Sequence, residues 1–133
     1  MKVNDLYQNI VLLDTTHSYS FMRDTYAACD IMCLPFINEV FGLVFIEAMA
    51  MEKIVVGARS GALPEIVDDG ENGYLIDPDD DRQLAELILD IFELDEKEKS
   101  AIGKRARAKV LENFSMEKMI DETIKIYKEF APL

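Results

Sequence analysis

Residues 30–50 combine a short apolar strand, a turn and a helix, and this order restricts the possible folds most. The segment 31–34 is Ile-Met-Cys-Leu and stops at Pro35, and Gly42 then opens an apolar helix. The first amides of a helix have no acceptor within the helix, so they can bind an anion. The order therefore predicts an anion-binding turn after a sheet strand.

Two glutamates flank this turn. Glu39 lies in the turn itself, and Glu47 lies more than one helical turn beyond Gly42. An anion bound at the helix start would have one acid near each end. Acids at this spacing are common on any acidic helix, so the surrounding residues must decide their role.

Strand-like and helix-like patterns alternate along the chain. Apolar runs of strand length occupy residues 9–13, 31–34, 54–57 and 74–76. Helical patterns lie between them and continue from Asp79 onward, and Ser18 or Ser20 and Ser115 are suitable N-caps. This alternation predicts an α/β fold with a parallel sheet of about four strands and C-terminal helices. We expect residues 1–133 to form a single domain.

The segment around the two glutamates resembles the retaining glycosyltransferases of the GT-B fold, whose donor-binding half carries a Glu-x7-Glu motif. The resemblance covers roughly residues 9–114, with order and spacing kept. The matching positions are Ala28 to Asp30, Leu34-Pro35, Glu39 to Ala50, Val55-Val56, Gly61 to Val67, Asp69-Gly70, Asn72-Gly73 and Asp77-Pro78. It implies that the chain is a Rossmann-like half of such an enzyme, truncated to a nucleotide-sugar-binding domain.

The resemblance also implies a role for each matching site residue. Glu47 would hold the ribose hydroxyls of a sugar nucleotide, and Glu39 would be the catalytic carboxylate beside the donor sugar. The amides of Gly42, Leu43 and Val44 would bind the diphosphate. The implied reaction moves a hexosyl group from a nucleoside-diphosphate sugar to an acceptor hydroxyl with retained configuration. It implies no metal site and no cofactor.

The front of the chain departs from the family pattern. In the family a glycine-bearing strand and a helix bring an Arg and a Lys onto the diphosphate, after an acceptor-binding domain. Residues 1–9 cannot form that unit. We therefore expect a domain that is inactive alone, or active only with a partner chain that supplies the missing N-terminal half. The alternative is a degenerate transferase remnant that serves as a non-enzymatic oligomerisation or binding module.

The charge distribution limits the possible partners. The net charge is −12, and residues 1–95 hold 19 acidic but 5 basic side chains. Such a surface excludes nucleic-acid binding, which needs clustered Lys and Arg, and it also opposes a diphosphate. Lys53 and Arg59 are the basic residues nearest the expected anion site. No apolar run is long enough to span a membrane and no signal peptide is recognisable, so we expect a cytoplasmic protein.

Several other polar residues have more than one interpretation. Cys29 and Cys33 have too few companions for a metal site and are predicted to be buried, reduced thiols. His17 follows the first strand, at the edge where parallel sheets bind ligands, but a lone loop histidine is often only solvated. Glu65 either favours the first turn of a helix or belongs to the site. The basic residues within 104–109 are predicted to be a solvated helix face.

The missing front also affects the sheet. The family's strand order is 3-2-1-4-5-6, so without two strands the strand at residues 10–13 would become an exposed edge. An edge without proline, lysine or a bulge tends to pair with another chain. We therefore expect a homo-oligomer, most simply a two-fold dimer joined at or near this strand.

Overall fold

Three parallel strands form the sheet of the computed structural model, which describes residues 7–13 and 18–131. Their order is β1 (Ile31–Leu34), β2 (Ile54–Ala58), β3 (Tyr74–Ile76). Ile31 lies beside Ile54, and Val56 lies beside Tyr74. All five residues of β2 are buried, which explains why this β-branched segment occupies the centre of the sheet.

Helices connect and follow the strands. The α-helices are α1 (Tyr19–Ala28), α2 (Leu43–Ala50), α3 (Leu63–Ile66), α4 (Asp81–Glu93), α5 (Glu96–Asn113) and α6 (Met116–Phe130). The predicted caps are confirmed, because Ser18 accepts from the amide of Phe21 and Ser115 accepts from that of Lys118. Among the described residues, no helix is both long and apolar enough to cross a bilayer.

The core has two parts, one on each face of the sheet. Val55 packs with α2 and α3, whereas its neighbours Ile54 and Val56 pack with Ile91 of α4 and Ile102 of α5. Successive residues of a strand point to opposite faces, so β2 contributes to both parts. Helix α5 reaches both as well, because Ala106 and Val110 belong to the part that contains Val55. The sheet is therefore covered on both faces.

The predicted strand at residues 10–13 is wrong. These residues form no strand, and all four side chains are exposed, with Leu12 at 90 %. Apolar character alone cannot supply a strand with a hydrogen-bonding neighbour, and the described chain offers none here. The sheet accordingly has three described strands rather than four, with β1 and β3 at its two edges. The prediction of a dimer joined at or near this strand therefore loses its structural basis.

The solvated face predicted for residues 104–109 is confirmed in part, because Lys104, Arg105 and Arg107 are exposed, but three of the four basic side chains also bind other elements. Arg105 donates to the carbonyl oxygen of Glu71 at 2.6 Å, and Arg107 donates to that of Ala50. Lys109 pairs with the Asp68 carboxylate at 2.7 Å. These three side chains connect α5 to the end of α2 and to the turn after α3.

The prediction of two buried thiols is also wrong. Cys29 is half-buried and Cys33 is exposed, and both are free thiols. Cys33 lies on β1, an edge strand of the sheet, beside Val56 of β2. His17 lies outside the described residues.

Gly103 marks a very close contact between α5 and the turn after α2. A Cβ atom built on Gly103 would lie 2.2 Å from the carbonyl oxygen of Glu52. Gly→Ala inside a helix normally stabilises, but here the added methyl group must push two backbones apart. We expect Gly103→Ala to lower the free energy of unfolding by about 1–3 kcal/mol, measured by urea denaturation. Lys104→Ala, at an exposed position of the same helix, is the control and should change it little. A stability gain for Gly103→Ala would contradict the contact.

Candidate functional site

Gly42 sets the geometry at the start of α2. It is the N-cap residue with φ 81° and ψ 38°, in the left-handed region that favours glycine. A Cβ atom there would also lie 3.0 Å from Cδ1 of Ile66. The Gly42 carbonyl oxygen accepts from the amides of Phe45 at 3.0 Å and Ile46 at 3.2 Å. The helix therefore begins directly at the glycine.

The amides of Leu43 and Val44 are open at this helix start. Within the part of the chain that the structure describes, neither amide donates to an acceptor. Leu43 is exposed and Val44 is half-buried. Two unpaired amides at the positive end of a helix can bind an anion. Their role toward a diphosphate stays a prediction.

Glu39 is held by the backbone on both sides of the turn. Its Oε1 atom accepts from the amides of Gly42 at 3.0 Å and Phe41 at 3.4 Å. Its carbonyl oxygen accepts from the amide of Ala62 at 3.1 Å. A Cβ atom on Gly61, whose φ is 57°, would lie 2.1 Å from that oxygen. Glu39 therefore caps the start of α2, a function that the sequence analysis did not anticipate.

Glu47 lies on the side of α2 that faces α1. Its Oε2 atom accepts a hydrogen bond from the hydroxyl of Tyr26 at 3.0 Å. Glu47 is half-buried and lines a cavity of 380 Å³ between the two helices, together with Tyr19, Met22 and Tyr26. The sequence analysis missed Tyr26. The available signal was its helical spacing from Met22, which also fits an ordinary core residue.

A second cavity of 410 Å³ lies at the opposite end of the sheet. It is lined by Asp30, Ile31, Lys53 and Ile54, at the beginnings of β1 and β2. In a parallel sheet, ligands bind outside the carboxyl ends of the strands, where Glu39 and Gly42 lie. This cavity is therefore not the candidate site, despite its volume.

The basic residues expected near the helix start are engaged elsewhere. Lys53 donates to the carbonyl oxygen of Ala27 at 2.8 Å, and Arg59 pairs with Asp69 at 2.6 Å. Glu65 is exposed in the first turn of α3, where its carboxylate can interact with the helix dipole. Its side chain has no hydrogen-bond or ion-pair partner in residues 7–13 and 18–131. Among the described residues, no group of three or more His, Cys, Asp or Glu side chains could hold a metal ion.

Comparison with known proteins identifies the family of the chain. Residues 7–109 match the family described as glycosyl transferases group 1. The chain belongs to this family. It is 37% identical over 106 residues to N-acetyl-alpha-D-glucosaminyl L-malate synthase from Bacillus anthracis, an alignment that covers 80% of this chain and 28% of that protein. The chain therefore spans less than a third of that relative.

Solved structures show the same fold. Sucrose-phosphate synthase from Thermosynechococcus elongatus matches with a TM-score of 0.85 and 28% identity, over 96% of this chain and 33% of that one. Anabaena Alr3699/HepE in complex with UDP-glucose matches with a TM-score of 0.70 and 32% identity, over 78% of this chain and 29% of that one. These matches confirm the predicted fold class, an α/β fold with a parallel sheet and C-terminal helices that matches part of the GT-B glycosyltransferase fold.

The capping bond of Glu39 makes a prediction about stability. Glu39→Ala removes the acceptor of the Gly42 amide and should lower the free energy of unfolding by about 1 kcal/mol, as for other lost helix caps. Glu39→Gln keeps an acceptor oxygen and should cost less than half as much. Urea denaturation measures both, with Glu71→Ala as an exposed turn acid for control. Equal stability of Glu39→Ala and the wild-type chain would exclude the cap.

Proposed function

We propose that this chain is the sugar-nucleotide-binding part of a retaining hexosyltransferase, which moves a sugar from a nucleoside diphosphate to an acceptor hydroxyl. The observation that carries the proposal is the start of α2. There two open amides lie between Glu39 and Glu47 in a member of the group 1 glycosyltransferases. The Anabaena relative was solved with UDP-glucose, which supports a nucleoside-diphosphate sugar as the ligand.

The proposed chemistry depends on positioning and on charge stabilisation. A nucleoside diphosphate leaves as an anion, and preorganised backbone amides stabilise the charge that develops on it. The amides of Leu43 and Val44 would face the diphosphate, with Gly42 allowing its close approach. Glu47 would accept the ribose hydroxyls. Glu39, fixed beside the helix start, would lie against the donor sugar.

We further propose that the chain is inactive alone. A diphosphate needs compensating positive charge, but Lys53 lies at the opposite end of the sheet and Arg59 is already paired with Asp69. The net charge of −12 adds to the repulsion. Activity would require an N-terminal half or a partner chain that supplies cationic side chains and the acceptor site.

A degenerate transferase remnant is the second candidate function. The observation that favours it is the Glu39 carboxylate, which already occupies the Gly42 amide at the positive end of α2. An internal carboxylate at that position competes with a bound anion for the same charge. In this case the chain would serve as a non-enzymatic oligomerisation or binding module.

Substitution of Glu47 tests the proposed ribose contact. A carboxylate forms charge-assisted hydrogen bonds of roughly 1.5–3 kcal/mol, which a neutral amide does not match. We expect Glu47→Gln to weaken UDP binding about tenfold or more, measured by calorimetry on the full chain. Glu71→Gln changes an exposed turn acid in the same way and should bind as the wild-type chain does.

Amide NMR during the UDP titration separates the two candidate functions. Binding at the proposed site should shift the amide signals of Leu43 and Val44 more than those of α6. Equal affinities of Glu47→Gln and Glu71→Gln would remove Glu47 from the site. No shift of either amide with UDP, GDP or ADP would favour the remnant.

We also propose that the chain self-associates through α6 rather than through residues 10–13. None of the α6 side chains is buried, and its exposed large apolar residues are Met116, Met119, Ile120, Ile124, Ile126, Tyr127 and Phe130. Together they form a continuous exposed apolar stripe, and surfaces of this kind mark interaction sites in soluble proteins. A second copy of this chain offers a matching apolar face.

Light scattering tests this proposal at tens of micromolar protein. We expect a mass above 15.1 kDa for the wild-type chain and a mass near 15.1 kDa for the double variant Ile120→Glu/Ile124→Glu. The control Val11→Glu/Leu12→Glu changes two exposed apolar residues elsewhere and should keep the larger mass. A wild-type mass of one chain, or dissociation by the control alone, would show that α6 is not the interface.

A further inference from the structure

Tyr26 connects the hydrophobic core to the Glu47 carboxylate. It is the buried residue of α1, with 8 % exposure, and it belongs to the same core cluster as Phe45 and Met49. Its hydroxyl donates to Oε2 of Glu47 at 3.0 Å. Close packing of the ring fixes the position of the hydroxyl before any ligand arrives.

The phenol can act only as a donor in this contact at neutral pH. Burial, and secondly the hydrogen bond to Glu47, raise the pKa of Tyr26 to about 12. Tyr26 therefore keeps its proton over the whole range in which a nucleotide would bind. Its donation occupies Oε2, whereas Oε1 of Glu47 accepts no hydrogen bond from the residues that the structure describes.

We propose that Tyr26 is a positioning residue for the nucleotide, which holds the Glu47 carboxylate so that Oε1 meets a ribose hydroxyl. The inference rests on the proposed function, in which Glu47 is the ribose ligand. An unrestrained glutamate loses rotamer freedom when it binds a ligand, and this loss weakens binding. Because the Tyr26 hydrogen bond already fixes the Glu47 side chain in the folded protein, this rotamer freedom is lost during folding and not during binding.

The test compares Tyr26→Phe with the wild-type chain for two ligands. Tyr26→Phe keeps the packed ring and removes only the donor. We expect its affinity for UDP to fall about three- to tenfold, the cost of immobilising the freed Glu47 side chain on binding. UDP that lacks both ribose hydroxyls (2′,3′-dideoxy-UDP) cannot use Oε1, so its affinity should change less than about twofold. Calorimetry at pH 7 measures both affinities.

Three further variants separate positioning from a structural effect. Tyr74→Phe is the matched control, because Tyr74 is a half-buried tyrosine of β3 whose hydroxyl makes no described hydrogen bond. It should bind UDP as the wild-type chain does. Glu47→Gln should weaken UDP binding by itself, and Tyr26→Phe/Glu47→Gln should be no weaker than Glu47→Gln alone.

The possible results have different consequences. Equal losses of UDP and 2′,3′-dideoxy-UDP affinity in Tyr26→Phe would show a structural role and overturn the positioning proposal. A loss in Glu47→Gln without any loss in Tyr26→Phe would overturn it while leaving the proposed function intact. Unchanged binding in Glu47→Gln, or no UDP binding by the wild-type chain, would overturn both.

Discussion

The backbone contact between Glu39 and Gly61 determines how the two turns above the sheet are arranged. The Glu39 carbonyl oxygen accepts from Ala62, and any Cβ atom on Gly61 would meet that oxygen at 2.1 Å. Because β1 and β2 are parallel neighbours, the turns that follow them emerge at the same edge. Their close packing fixes the Glu39 peptide, and the fixed peptide directs the Glu39 side chain to the amide of Gly42. The conformation at the start of α2 therefore depends on a glycine in a different loop.

In this acidic chain, four basic side chains have partners within the fold, and the open amides of α2 remain to attract an anion. Side-chain cations are the usual partners of a diphosphate, but Lys53 bonds the end of α1 and Arg59 pairs with Asp69. On α5, Arg105 and Arg107 are used to attach that helix to neighbouring turns. These four cations thus stabilise the fold. What remains at the carboxyl edge of the sheet is the partial positive charge of the Leu43 and Val44 amides, which cannot be neutralised by a change of pH.

Local features of the fold were predictable from the sequence, whereas long-range ones were not. The serine caps of α1 and α6 and the glycine start of α2 depend on residues a few positions apart, and the pattern indicates them directly. The strand predicted at residues 10–13 failed because strand formation requires a neighbouring strand, which an apolar run does not reveal. The same limit applies to the α5 arginines, whose acceptors are carbonyl oxygens 34 and 57 positions away.

In the candidate site, too, local features were predictable from the sequence and long-range contacts were not. The sequence placed Glu39, Gly42 and Glu47 around one helix start, because all three lie within a short segment. It did not indicate that Tyr26, 21 positions before Glu47, donates to that carboxylate. This contact matters because α2 is held rigidly: Phe45, Ile46, Ala48 and Met49 are all buried on its inner side. A helix anchored in this way cannot shift its first amides without disturbing the core, and Tyr26 extends the same anchoring to the Glu47 side chain. The packing that stabilises this part of the fold therefore also preorganises the groups proposed to meet the nucleotide.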